Sequence, residues 1–420
     1  MGTLNVYNVK TDYGAVGNGS TDDTSAIQNA INGASSTNGI VYFPDGTYII
    51  TAPLRLPTAG KISLVGDSPS ASILKKTTNT EGTTPNRTMT RNGVQYTDSY
   101  VVDSIISVDH PDNDYGDSVV IENLYLEGAA SSSVNYAIYA PRTSHIIIRN
   151  VHSSNCSYGF LTYDSWLSII EALTSDSCTS VLKYSDDGSG AGTGTSLTAT
   201  RVAADTCTTG YDIYGLAYST FNSCACDNAS SSAYLFNYSH GITLNSCGAE
   251  SITGTVLQMV GSEVVVNGFK TYNINGVTGQ TYAYLWFEVS KVVLNSCYFV
   301  DFTNPYDSYN MVVQSGSQVT FNQCRIPSGG NTYVSYSGGS VVVYLDNNGV
   351  TAKVRIDNER AGIISNGKRI FWDSSVPASG TWIQGDVIYN TAPVASGYIG
   401  WVCVSGGTPG SWKSFGPVSS

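Results

Sequence analysis

Charge is scarce in this chain. Asp, Glu, Lys and Arg make up only 12% of its 420 residues, and their balance is acidic, with a formal net charge of −12. Such a surface repels phosphates and argues against nucleic acid as a partner; it argues equally against simple electrostatic capture of an acidic polymer. No apolar run approaches the roughly 20 residues that cross a bilayer, so membrane insertion is not expected. The opening residues Met1-Gly-Thr-Leu-Asn-Val6 carry no apolar signal-peptide core, and Val6 breaks the myristoylation pattern. Gly-rich phosphate loops, zinc-ligand spacings and nucleophile elbows are also missing, and no motif requires a cofactor. The nine cysteines are an odd number, and all but Cys403 fall at equivalent places of a repeat. That placement suits small buried hydrophobes better than a disulfide framework.

What the chain has instead is Gly, Tyr, Ser, Thr, Asn and Val, a mixture that favours strands and turns over helices. Within residues 218–262 one short phrase recurs. Ser219-Thr-Phe-Asn-Ser-Cys-Ala-Cys-Asp227 aligns with Gly241-Ile-Thr-Leu-Asn-Ser-Cys-Gly-Ala-Glu250, so that Phe221, Asn222, Cys224 and Asp227 fall over Leu244, Asn245, Cys247 and Glu250. Lys291-Val-Val-Leu-Asn-Ser-Cys297 and Gln318-Val-Thr-Phe-Asn-Gln-Cys324 repeat it, and Glu263-Val-Val-Val-Asn-Gly-Phe269 repeats it with Phe for Cys. A period of roughly 20–30 residues marks a solenoid, which grows along an axis and escapes the size limit of one compact core. The coils begin near Ser118, His145, Leu167, Ser196, Tyr218, Gly241, Glu263, Lys291, Gln318 and Ser340. The expected class is all-β: a coil body over 77–350, an N-terminal capping segment over 1–76 and a small β module over 351–420. In the N-terminal segment Asp23 and Thr24 can cap a short helix that carries Ile27, Ala30 and Ile31 on one face. Residues 77–117, with weak strands around Val101 and at 104–108, read as an excursion beside the first coils. The C-terminal module holds four of the six tryptophans, Trp372, Trp382, Trp401 and Trp412. They suit stacking on sugar rings, a trimer clamp or a core.

In a parallel stack, equivalent positions lie about 4.8 Å apart and side chains alternate inward and outward. The column Leu124, Val151, Leu173, Val202, Cys224, Cys247, Phe269, Cys297 and Cys324 must face inward, as must Leu126, Ser153, Ser175, Ala204, Cys226, Ala249 and Phe299. The next position therefore faces outward, and it reads Glu127, Ser154, Asp176, Asp205, Asp227, Glu250 and Tyr272. Its outward companion reads Tyr125, His152, Thr174, Ala203, Ala225, Gly248, Lys270, Tyr298 and Arg325, so the central carboxylates have very small neighbours. Like charges on adjacent strands are unfavourable, and such pairs split their pKa values so that one carboxyl stays protonated beside an ionised one. Glycoside hydrolysis requires that split: adjacent coils give about the 5 Å retaining separation and alternate coils approach the 6.5–9.5 Å inverting range. Asp176, Asp205, Asp227 and Glu250 are the candidate catalytic residues, with Asp205 and Asp227 as the first pair. Glu127, His152, Lys270, Tyr272, Tyr298 and Arg325 are the candidate substrate-binding residues.

The stretch Tyr13-Gly-Ala-Val-Gly-Asn-Gly-Ser-Thr-Asp-Asp-Thr-Ser-Ala-Ile27, followed by Gly39-Ile-Val-Tyr-Phe-Pro-Asp-Gly-Thr-Tyr-Ile-Ile-Thr51 and Ile62-Ser-Leu-Val-Gly-Asp67, resembles the start of the pectate-lyase-like parallel β-helix proteins, above all phage tailspikes and related polysaccharide depolymerases. The resemblance implies a right-handed single-chain helix whose open end is capped by the short α-helix, a homotrimer, a polysaccharide substrate, and an extracellular or virion-tail location. Resembling tailspike glycosidases place acidic groups on neighbouring coils of one face, and resembling pectate lyases use calcium, so Ca²⁺ is the one metal to consider.

Other readings stay open at this point. The acidic column is also compatible with a solvated flank, a calcium site or a subunit contact. A second candidate set lies at coil ends, at Arg142, Asp164, Asp186, Asp187, His240 and Glu288, where turn chemistry alone accounts for the residue types. A polysaccharide lyase would need a base such as Lys270, Tyr272, Tyr298, His152 or Arg325, and a non-catalytic binding fibre would need none. The asparagines Asn222, Asn245, Asn267, Asn295 and Asn322 read as a structural column at a bend, tolerant of the left-handed region and able to bond along the axis.

Overall fold

The computed structural model describes residues 5–57, 61–77, 82–83, 87–91, 94–98, 101–109, 116–129, 136–185, 194–274, 283–300, 309–325, 331–334, 341–345, 354–356, 362–365 and 368–420. One coil shows the building plan. Strand Ala217–Asn222 ends at left-handed Ser223, Ala225–Asp227 ends at left-handed Asn228, and Ser232–Asn237 ends at left-handed Tyr238. Single left-handed residues turn the chain without a loop, and the Ser and Asn found at these corners are short polar residues that bear that geometry at little cost.

Successive coils pair in register. Phe221 lies beside Leu244, then Val266, Leu294 and Phe321, and alternate residues along the same strands face out. The described strands form a first sheet of 20 strands and a second of 12, both parallel, which makes a right-handed parallel β-solenoid. The inward columns named above are buried, each Leu, Val or Phe contributing about 1.5–3 kcal/mol. From the second sheet, Tyr211 and Tyr234 stack inside at 4.5 Å. Their hydroxyls donate across the core, Tyr211 to the carbonyls of Val202 and Ala225, Tyr234 to those of Cys224 and Gly248. All nine cysteines are free and buried, as small core residues. Gly210 is required where it stands, since a Cβ there would lie 2.4 Å from Cys226 Sγ.

Strands Ile40–Phe43 and Gly46–Ile50 pair in parallel with Ile62–Gly66 and Ser72–Lys76, and these two in turn meet Val119–Glu127, all within the first sheet. Helix Thr24–Ser35 buries Ile27, Ala30, Ile31 and Ala34. Asp23 precedes the helix but makes no side-chain cap; its carboxylate accepts the amides of Val16 and Gly17, while Asp22 accepts that of Thr24. Residues 104–108 are not beside the stack: Ser104–Asp109 is a rung of the second sheet, between Leu54–Pro57 and Tyr136–Tyr139. The asparagine ladder is present, each amide donating to the preceding coil from Asn245 to Asn322. The left-handed residues are instead the next ones, Ser223, Ser246, Gly268, Ser296 and Gln323, so bend tolerance is not what the asparagines provide.

After the solenoid, Gly362–Ser365, Lys368–Asp373, Val387–Asn390, Tyr398–Ser405 and Ser411–Pro417 form a five-stranded sheet. Trp382 is in its core, with Trp401 and Trp412 packed against it, and only Trp372 is half exposed. Core packing therefore accounts for three of the four tryptophans.

Candidate active site

The acidic column forms as a continuous register. Glu127, Ser154, Asp176, Asp205, Asp227, Glu250 and Tyr272 are direct partners on seven successive coils. Beside it runs the second outward column, in which Thr174, Ala203, Ala225 and Gly248 leave the central carboxylates uncovered. Asp227 sits on the three-residue strand Ala225–Asp227, whose middle residue Cys226 is fully buried. That inward anchor, with the Tyr211 hydroxyl on the Ala225 carbonyl, fixes the backbone that carries the carboxyl.

Hydrogen bonds divide the column. At one end Glu127 pairs with Lys75 at 2.7 Å, and Ser154 is covered by Tyr125, whose hydroxyl lies 2.7 Å away. Asp176 faces His152 Nε2 at 3.4 Å, while His152 Nδ1 meets Thr174 Oγ1 at 2.7 Å. In the centre, the left-handed residue after this column position reaches back one coil. Asn228 Nδ2 donates to Asp205 at 2.7 Å and Asn273 Nδ2 donates to Glu250 at 3.0 Å; the hydroxyl of Thr206 also donates to Asp205. The equivalent residue over Asp227 is Ser251, which is too short to bridge. The Asp227 carboxyl accepts no hydrogen bond among the described residues. Partial burial, then the charges of Glu250 and Asp205, push its pKa above the usual aspartate value. The result is one carboxyl with a raised pKa between two amide-anchored ones.

Beyond Glu250 the columns change to Lys270, Tyr272, Tyr298 and Arg325, which form a contiguous exposed group. All ten candidate residues thus lie on one face, with the His152 end and the Lys270 end flanking the central acids. The second candidate set is not brought together. Arg142 and Asp164 form a buried pair at 4.0 Å and are both left-handed corner residues, a structural role. His240 begins a first-sheet strand beside Ala217, and Glu288 stands two coils along from Asn237 and accepts a bond from Gln314. Asp186 and Asp187 lie outside the described residues. Among the described residues, no three His, Cys, Asp or Glu side chains converge to hold a metal ion. No described helix is long and apolar enough to cross a membrane.

Residues 6–108 match the family model of rhamnogalacturonase A/epimerase, pectate lyase-like. The solenoid superposes on the gp42 tailspike of Acinetobacter phage vb_AbaP_AS12 with a TM-score of 0.69 at 18% identity, covering 88% of this chain and 64% of that one. The fold is the pectate-lyase-like parallel β-helix. This β-helix also resembles DFA-IIIase from Arthrobacter chlorophenolicus A6, with a TM-score of 0.55 at 9% identity over 81% of this chain and 94% of that one. A stretch of 85 residues is 39% identical to a probable glucan endo-1,3-beta-glucosidase of Arthroderma benhamiae, which is 18% of this chain and 9% of that protein. The chain therefore spans under two thirds of the tailspike and a small part of the glucosidase. The family match ends at residue 108, ahead of the central carboxylates of the β-helix.

Proposed function

We propose that this protein is a polysaccharide depolymerase, an endo-acting glycoside hydrolase of tailspike type that cleaves a bacterial capsular or extracellular polysaccharide. The observation that carries the reading is the raised Asp227 carboxyl between Asp205 and Glu250 on an open face lined by Ala203, Ala225 and Gly248. Asp227 is the acid: its proton goes to the glycosidic oxygen as the bond to the anomeric carbon breaks. Asp205, one coil or about 4.8 Å of strand spacing along the stack, is the proposed nucleophile of a retaining pair and forms the new bond to that carbon. Water then displaces Asp205 from the sugar, and ionised Asp227 takes the water's proton. Glu250 does not react in this scheme; its charge helps Asp227 keep its proton.

The homotrimer and the virion-tail location belong to the same proposal, supported by the tailspike-like fold. A strip of the first sheet, with Ile169, Val265 and Val293 exposed and Thr198, Thr220 and Thr243 between Ile169 and Val265, is the proposed subunit contact.

The test is the chain length of bacterial capsular and exopolysaccharides after incubation with the parent protein, Asp205→Asn and Asp227→Asn. The parent should shorten at least one polymer, and each variant should lose about 10²-fold or more of that activity while still binding it. Shortening that survives both substitutions sinks the assigned pair.

A further inference from the structure

Far from the acidic column, the interior of the first coils holds a lysine. Along Ser72–Lys76 the inward positions are Ser72, Leu74 and Lys76, and Lys76 is among the largest fully buried side chains of the chain. Its Nζ meets Asp103 Oδ1, and it donates to the Ser104 carbonyl at 3.0 Å. The Asp103 side chain is itself only 4% exposed. The ion pairs of Lys75, Lys183 and Lys291, by contrast, keep both partners within reach of water.

As ions the two groups do not balance. The three N–H donors of an ammonium find two acceptors among the described residues, and Asp103 Oδ2 is buried with no hydrogen-bond partner. Burial pulls the Lys76 pKa below the ordinary lysine value, with Asp103 opposing the shift. The neighbouring Cys156 thiol, pushed up to about 12 by burial, stays neutral and adds no charge. Two charges withdrawn from water, with one oxygen left over, are costly. Transfer of a proton from Nζ to the carboxyl leaves a neutral amine against a neutral acid.

We propose that Lys76 and Asp103 condense to an amide, a covalent link inside the solenoid. The amine nitrogen adds to the carboxyl carbon of Asp103. The bond from that carbon to one carboxyl oxygen then breaks, and the oxygen leaves as water with the carboxyl proton and one amine proton. No electrons are transferred and no co-reactant is consumed. The fold supplies what free lysine and aspartate lack, fixed contact between the reacting groups in a site that excludes bulk water. The reaction runs once per molecule, so a slow step suffices. The product also suits the site, since an amide has one N–H for the Ser104 carbonyl and one oxygen where the carboxylate had two.

The position of the link gives it a use. Between Lys76 and Asp103 the chain forms an antiparallel hairpin outside the two large sheets, Gly82–Thr83 pairing with Val101–Val102 and Arg87–Arg91 with Val94–Asp98. The amide joins the first-sheet strand that precedes this hairpin to the second-sheet rung that follows it. Closing that loop restrains the unfolded chain as a disulfide does, in a protein whose nine cysteines are all free.

The test is mass. The full chain is stored folded until its mass is constant, then denatured in acid and weighed intact beside Lys76→Met. The parent should be one water lighter than its sequence requires, and trypsin should release a branched peptide that joins residues 76–87 to 92–142 through Lys76 and Asp103. Lys76→Met should show its full sequence mass. A parent at full mass, cut by trypsin after Lys76, overturns the proposal. So does a water loss that persists in Lys76→Met, or one that maps to Asp45-Gly46 or Asp187-Gly188, where a cyclic imide forms without joining two peptides. The parent alone decides the question, so a variant that folds poorly does not blunt it. Neither result bears on polysaccharide cleavage.

Discussion

At the scale of single residues, the account turns on which carboxyl keeps its proton. Asp227 differs from Asp205 and Glu250 in the residue one coil ahead, Ser251 where they have Asn228 and Asn273. Ser251→Asn would supply the missing amide, stabilise the ionised form and lower the Asp227 pKa. Because a general acid works only while protonated, activity falls as pH rises through that pKa. The alkaline limb of the kcat/KM profile should therefore move to lower pH in Ser251→Asn, with the acid limb less affected. An unshifted alkaline limb would contradict the assignment of Asp227 as acid. The outward column itself was legible in the sequence, since inward Cys224 and Cys226 fix Asp227 as outward by alternation. The amide donors were not. Asn228 and Asn273 sit at left-handed corners, and nothing in the one-dimensional pattern shows that a corner side chain reaches back to the preceding coil. The step from Asn228 to Ser251 to Asn273 becomes a signal only once the corner residues are aligned beside the carboxyls.

At the scale of elements, short strands carry the site and the core holds them. Ala225–Asp227 has three residues, and its shape depends on the buried hydroxyls of Tyr211 and Tyr234 across the solenoid. Tyr234→Phe leaves the carbonyls of Cys224 and Gly248 without that donor in a dry interior, which should cost about 1–3 kcal/mol. Urea unfolding measures it as a lower midpoint at unchanged slope. Tyr238→Phe, on an exposed corner of the same coil, should move stability by less than about 0.5 kcal/mol. Repetition made the coil strands readable from 118 onward, where Asn-Ser-Cys and its variants mark each bend. It failed for Ser104–Asp109, because this rung follows a polar stretch that breaks the spacing. It also shifted the left-handed bend by one residue, since the asparagines that attract notice bond along the axis while the plainer Ser223 and Ser246 make the turn.

At the scale of the whole molecule, the solenoid explains how a chain so poor in charge presents so ordered a row of carboxylates: corners at matching places repeat the same outward position on successive coils. The capping-segment resemblance located the fold from 65 residues, yet carried no reactive group, so fold and chemistry had to be read from different parts of the chain. The proposed trimer predicts a three-chain mass in sedimentation equilibrium. Val265→Lys, which places a charge in the uncharged strip, should shift that mass toward one chain, whereas the same substitution in a monomer would change nothing. The central claim is hydrolysis at the Asp205–Asp227 pair. Its most direct measurement is mass analysis of the products formed in water labelled with heavy oxygen, with ultraviolet absorbance recorded alongside. The account predicts one labelled oxygen at each new reducing end, no new absorbance, and loss of both products and label in Asp227→Asn. Unsaturated products that absorb ultraviolet light and carry no label would contradict it and assign the groove to β-elimination.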